Sequence, residues 1–342
     1  MTYNEFAQKQ ALPYQAKVAH AELRAREFYD RMTGEGKGCH VSVGGLDSIT
    51  LLMFLRGIGI DVPAISVSSL EDTSIQQAHR LLGIEPIKPY KSKTQVLREC
   101  GFPVISKDKA GKIEALQNPT ERNKTVRHAI MTGETGAQGG YRTGTRMRLP
   151  QKWLNIFAGM ENERYGTEYA QAPFRVSNKC CYFMKEKPCD DWARQHNSVP
   201  YLGLMASEGG QREKALVQNG CNYYGKTTTR SCPFAIFTRQ DLLQLAIDLN
   251  VPVPKIYGEI VADEKGLLRT TRAQRTGCSM CGFGIHIEKR PHRFDRLRED
   301  NPKEWEYWMY AQGWGDVLTY IGVGWEDAPP PIIVQQQMEA LP

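Results

Sequence analysis

Two cysteine doublets stand far apart in the chain: Cys180-Cys181, within Ser-Asn-Lys-Cys-Cys-Tyr-Phe-Met-Lys, and Cys278-x-x-Cys281, within Arg-Thr-Gly-Cys-Ser-Met-Cys-Gly-Phe-Gly. Four thiolates from two separated segments are the ligand set of an iron–sulfur cluster. Zinc held by four cysteines is the main rival, and a Cys-x-x-Cys alone also serves redox chemistry. Adjacent cysteines make a strained disulfide with each other, but can ligate two irons of one cubane where the backbone turns sharply. The sequence holds nine cysteines, an odd number that excludes complete internal pairing. In a reducing compartment, clustered cysteines bind metal or catalyse more often than they bridge. Cys39, Cys100, Cys221 and Cys232 read as packing residues, and Cys189 as a substitute ligand.

A second group able to do chemistry is Val43-Gly-Gly-Leu-Asp-Ser48. Read as the turn between a strand and a helix, it makes an anion site. Gly44 and Gly45 let the backbone approach a phosphate, and the first-turn N–H groups of the helix donate to it. The Ser48 hydroxyl adds a bond or caps the helix. The motif is not the Gly-x-x-x-x-Gly-Lys-Ser/Thr loop of the Walker type. The competing reading is a strand-to-helix turn whose glycines serve geometry alone.

The flanking elements suit such a turn. Residues 15–33 carry a partly apolar helical face ended by Gly34-Glu-Gly-Lys-Gly, and Cys39–Val43 reads as a buried strand. Helix 48–56, strand 62–68, helix 74–82 and an extended piece at 86–90 follow. Alternation of this kind predicts an α/β fold, a doubly wound parallel sheet with helices on both faces. Residues 106–152 are polar and rich in Lys, Arg, Gly and Thr, and read as an insertion or lid. The α/β pattern resumes with a strand near 199–205 and a helix at 241–250. The aromatic stretch Trp305–Trp325 reads as C-terminal core.

Both groups resemble one superfamily. The glycine turn is similar to the Ser-Gly-Gly-x-Asp-Ser signature of the adenine nucleotide alpha-hydrolases, which include N-type ATP pyrophosphatases and the PAPS/APS reductases. Val43 stands where the first Ser of that signature belongs, so that either one phosphate contact is lost or Ser42 partly replaces it. Cys-Cys-x-x-x-Lys (Cys180, Cys181, Lys185) followed by Cys278 and Cys281 resembles the cluster pattern of assimilatory APS reductases. The resemblance implies a [4Fe–4S] cluster on those four cysteines, with Lys185 or Lys187 near its charge. Leu202–Arg212 resembles the segment that approaches the substrate phosphate or sulfate, with Glu208 and Arg212 carried over and Met205 in place of a common Arg. Cys232–Asp241 and Val104–Lys107 resemble further segments of phage and bacterial members.

Reductases of this family use a cysteine in a C-terminal Glu-Cys-Gly-Leu/Ile-His segment, and this chain has no cysteine after Cys281. Glu99-Cys100-Gly101-Phe102 copies the letters in another place. A retained glycine turn without that nucleophile fits an iron–sulfur ATP pyrophosphatase-like enzyme, which adenylates an acceptor for sulfur transfer or nucleic-acid modification. The alternatives are an APS/PAPS reductase and a non-catalytic nucleotide-binding module of a larger complex. The expected nucleotide-binding residues are Ser42, Gly44, Gly45, Leu46, Asp47, Ser48, Ser69, Glu208 and Arg212. The expected catalytic residues are Asp47, Lys107 and Arg212, with Mg²⁺ accompanying ATP and Asp47 orienting it.

The expected organisation is a nucleotide domain over 1–240 containing the insertion 106–152, a helical cluster-binding region over 241–330, and a loose tail at 331–342. The expected partner is an adenine nucleotide (ATP, or APS/PAPS); a nucleic-acid acceptor and a sulfur-donor protein are left open, with Arg142, Arg146, Arg148 and Lys152 read either as a solvated basic loop or as contacts to such an acceptor. Self-association into a homo-oligomer is left open. The 342 residues are 41% hydrophobic and 24% charged with a formal charge of +6. That is globular composition with a mild basic excess. No apolar run approaches a membrane span, and the first residues lack signal-peptide features, so the expected location is cytoplasmic.

Overall fold

The computed structural model describes residues 2–134, 147–159, 161–162, 167–168 and 171–326. The expected tail at 331–342, and Arg142 and Arg146 of the basic cluster, lie outside the described residues. The chain divides into two compact units: residues up to Tyr90 with Lys185–Cys278, and Lys91–Met184 with the residues from Ser279 on.

The first unit is α/β. Its strands are β1 (Gly38–Ser42), β2 (Ala64–Ser66), β3 (Glu85–Pro86), β4 (Ser198–Tyr201), β5 (Asn222–Tyr224) and β6 (Thr229–Ser231). They form one sheet in the order β3-β2-β1-β4-β6-β5. All neighbours run parallel except β5 and β6. Val41 pairs with Ala64 on one side and with Tyr201 on the other, so β1 is central. Such a strand is buried on both faces and should be apolar; Cys39, Val41 and Val43 are buried.

Its helices include α1 (Tyr3–Gln10), α2 (Tyr14–Gly34), α3 (Leu46–Gly57), α4 (Thr73–Leu81) and α5 (Arg239–Asp248). α3 is buried nearly all round, through Leu46, Ile49, Leu51, Leu52, Phe54 and Leu55, as suits a helix inside a large core. α4 starts where Asp72 accepts from Ser74 N–H, and α5 where Thr238 and Asp241 form a reciprocal capping box. α2 is tied to α5 by a buried ion pair, Lys17 to Asp241 at 2.8 Å.

The second unit contains most of the polar stretch read as an insertion or lid. Its described part is built of helices Lys107–Gln117, Lys124–Thr132 and Gln151–Phe157. Ser106 caps the first of these, and Ala110, Ile113 and Leu116 are buried along one face. The strand Val104–Ile105 pairs in parallel with Gly282–Phe283, just after the second cysteine doublet. Around this pair lie Phe102, Phe294 and Trp314, with Trp314 fully buried and Phe102 edge-on to it at 5.1 Å. Trp305 and Trp308 are also buried. No helix among the described residues is long and apolar enough to cross a membrane.

Candidate functional site

In a sheet wound outward from its centre, loops diverge at the strand pair where the winding reverses, leaving a crevice beyond the strand C-termini. Here that pair is β1 and β4, and the glycine turn leaves β1 at this point. The segment after β4 comes so close that a Cβ on Gly203 would lie 2.9 Å from the Asp47 carbonyl oxygen.

The turn is held from several sides. Gly44 N–H donates to Ser48 Oγ at 2.7 Å, while Ser48 Oγ donates to the Gly45 carbonyl at 3.0 Å. The Gly44 carbonyl is 2.8 Å from His79 Nε2, and His79 Nδ1 is 2.9 Å from Ser68 Oγ. A neutral ring protonated on Nε2 satisfies both contacts, and burial pushes the His79 ring below the usual imidazole range. Leu46 N–H donates to Tyr257 Oη at 3.1 Å, and Tyr257 in turn meets Thr276 Oγ1 at 2.7 Å.

The two glycines differ. A Cβ on Gly45 would stand 2.2 Å from Tyr257 Oη, so the residue is small because Tyr257 closes over it. A Cβ on Gly44 would make only ordinary contacts, 3.7 Å to Glu71 Oε1 and 4.0 Å to Ser48 Oγ. Nothing among the described residues demands a glycine at 44, and that is the position where an approaching anion would. The N–H groups of Gly45 and Asp47 have no partner among the described residues, which leaves donors at the start of α3.

Charged side chains surround the turn. Asp47 is paired with Arg239 at 2.6 Å. Burial, opposed by Arg239 and aided by Glu208, raises the Asp47 carboxyl above its ordinary value. Glu71 is buried and bound by Lys185 at 2.5 Å. Glu208 is bound by Arg212 at 2.5 Å, with Arg275 3.8 Å away. Its other oxygen, Oε2, is buried without a partner among the described residues.

Of the expected nucleotide residues, Ser42 ends β1, and Leu46 and Ser48 are buried in the first turns of α3. Ser69 is exposed, and its neighbour Ser68 makes the link to the turn. Val43 is buried in the core, which accounts for an apolar residue there. Lys107 belongs to the second unit, where it opens a helix and is exposed. His79, Glu71, Gly203, Arg239, Tyr257 and Thr276 were not singled out from sequence. His79 had a readable signal, since Ile75, Ala78 and His79 share the buried face of α4. Tyr257 and Thr276 reach the turn through long-range packing that leaves no local pattern.

Cys180 is buried and Cys181 half-buried, with their sulfurs 4.0 Å apart. Cys281 is anchored through its backbone: Arg293 Nη1 donates to its carbonyl at 3.0 Å, and a Cβ on the following Gly282 would strike the Trp314 ring. Cys278 closes the first unit. Among the described residues no group of three or more His, Cys, Asp or Glu is gathered to hold a metal ion. The set of four as ligands of one centre rests on the sequence spacing.

Cys39, Cys221 and Cys232 are buried in the core of the first unit. Cys100 is half-buried, and burial raises its thiol, the reverse of the activation a nucleophile needs. Gly101 beside it has φ 111°, and a Cβ there would meet the Arg175 carbonyl at 2.4 Å. The cations after the second doublet are engaged locally: Arg290 pairs with Asp295 at 2.7 Å, Arg293 with Glu288, and His292 is a buried helix cap. Of the basic cluster, Arg148 donates to Gln151 and Lys152 lies over the Trp153 ring.

No known protein family matched the sequence, and no curated protein did.

Proposed function

We propose that the glycine turn between β1 and α3 binds the phosphates of an adenine nucleotide. On this reading the chain is an iron–sulfur ATP pyrophosphatase-like enzyme of the PAPS reductase family, activating an acceptor by adenylation for sulfur transfer or nucleic-acid modification. The observation that carries it is Gly44, a glycine without an internal reason, beside unpartnered N–H groups at the start of a buried helix.

The residues divide the work. The turn's amides take a phosphate, and Lys185, Arg239, Arg212 and Arg275 supply positive charge that offsets the nucleotide's. Glu71 and Glu208 hold Lys185 and Arg212 in place. Asp47 is committed to Arg239, so the unpartnered Glu208 Oε2 is the better oxygen for Mg²⁺. Bound with the nucleotide, Mg²⁺ would shield charge developing on the phosphates. Cys180, Cys181, Cys278 and Cys281 are the proposed cluster ligands. The reductase alternative lacks an activated thiol at its one candidate, Cys100.

The test is anaerobic purification with iron and sulfide quantification, then ATP with a pyrophosphate assay on the same sample. About four irons per chain and pyrophosphate release are expected. ATP binding without turnover favours the non-catalytic module, and sulfite release from APS or PAPS favours the reductase. Zinc in place of iron removes the cluster from the reading, and no ATP binding sinks it.

A further inference from the structure

In the second unit, the helix Lys93–Cys100 and the segment 171–175 line a cavity of about 570 Å³. Its charged residues are Arg98 and Arg175, and no carboxylate belongs to the lining. Arg175 is fixed at both ends. Its carbonyl accepts from Phe102 N–H at 2.8 Å, and its Nη2 donates to the Arg98 carbonyl at 2.7 Å. That second bond holds the guanidinium at the cavity wall and leaves the rest of its fork open. The Arg98 side chain makes no ion pair or hydrogen bond among the described residues, and Glu99 beside it in the chain is bound by Lys91. Both arginines are exposed, so a ligand can reach them. Paired guanidiniums without a facing carboxylate suit a phosphate.

The apolar part of the wall is aromatic. Phe102 and Phe174, both half-buried, meet edge-on at 5.7 Å. Trp314 braces Phe102 at 5.1 Å, and Tyr320 braces Phe174 at 5.3 Å. Gln117 ties the segment down, donating to the Phe174 carbonyl at 3.0 Å and accepting from Val176 N–H at 2.9 Å. The side-chain amides of Gln171 and Gln312, also in the lining, have no partner among the described residues. Ring surface beside amides that both donate and accept suits a nucleobase.

We propose that this cavity binds a nucleotide, either a free mononucleotide or one residue of a single strand. Arg98 and Arg175 take the phosphate, and the Phe102–Phe174 corner and the amides take the base. The volume suits a ligand of that size. The proposal does not rest on the reading of the glycine turn, which lies in the first unit.

The full chain, labelled with 4-fluorophenylalanine, is titrated at constant ionic strength with each ribonucleoside 5′-monophosphate and its parent nucleoside. The Phe174 fluorine signal, assigned with Phe174→Leu, should shift saturably with at least one monophosphate. The parent nucleoside should bind at least about tenfold more weakly. Arg98→Gln and Arg175→Gln should each weaken binding at least about fivefold. Arg98→Gln is the decisive variant, since its guanidinium holds no other described residue. Tighter binding of hexauridylate than of uridine monophosphate marks a nucleotide within a strand, and the reverse a free one. The proposal is overturned by an unmoved Phe174 signal at about 20 mM of every monophosphate, or by undiminished binding in Arg98→Gln. Equal binding of nucleoside and monophosphate, or tighter binding of benzoate than of any monophosphate, would also overturn it.

Discussion

Gly44 and Gly45 are neighbours that lack a side chain for different reasons, and substitution should separate them. Gly45→Ala drives a methyl into Tyr257 and should destabilise the first unit by about 1–3 kcal/mol, read as a lower melting temperature. Gly44→Ala meets no such obstacle; its melting temperature should hold while ATP affinity drops about tenfold, near 1.4 kcal/mol. Unchanged affinity would mean that no phosphate approaches residue 44. His40 gives a second test. Its Nδ1 lies 2.8 Å from Ser198 Oγ, and burial, with a smaller push from His196, lowers the ring to about 4. A ring whose folded value lies below its unfolded value of about 6.5 favours the folded state fully above that pH. The contribution is lost as pH falls from there through about 4. Melting temperature should therefore decline over that window, with His79 acting in the same direction, and His40→Phe should flatten the decline. At this scale the sequence was legible where a motif is local, as in the turn. It was silent where a distant side chain decides, as Tyr257 does for Gly45.

Elements were legible in proportion to how far their own pattern decides them. α2, α3, α4 and α5 lie within a few residues of their expected bounds, because their apolar spacing and breakers are local. The β5–β6 hairpin was not foreseen: Asn222–Tyr224 and Thr229–Ser231 are short and half-polar, and they become strands by pairing with each other, with Ser231 of β6 joining Tyr201 of β4. Within the polar stretch the helix Lys107–Gln117 was not read from composition, although Ala110, Ile113 and Leu116 repeat at helical spacing beneath the charges. Between elements, α2 and α5 depend on Lys17 and Asp241. Lys17→Met leaves a buried carboxylate with Thr238 as its remaining donor, and should cost about 3–5 kcal/mol, seen in urea unfolding. A loss under about 1 kcal/mol would mean that the pair is not buried in solution.

For the whole molecule, the division into units follows space rather than chain order. The sheet unit takes its first strands from residues before Tyr90 and the rest from Lys185–Cys278. A chain stopped after Met184 has β1, β2 and β3 but none of β4, β5 and β6, and should show no cooperative melt by circular dichroism. A sharp transition there would mean that the first three strands suffice. The pairing of Gly38–Val41 with Ser198–Tyr201 also sets a timetable on the ribosome. At about 5–20 residues per second, β1 leaves the exit tunnel roughly ten to thirty seconds before its partner. Throughout that delay its open edge can recruit strands from other nascent chains. The delay is set by translation speed, so slower codons between β1 and β4 should lower the yield of correctly closed sheet.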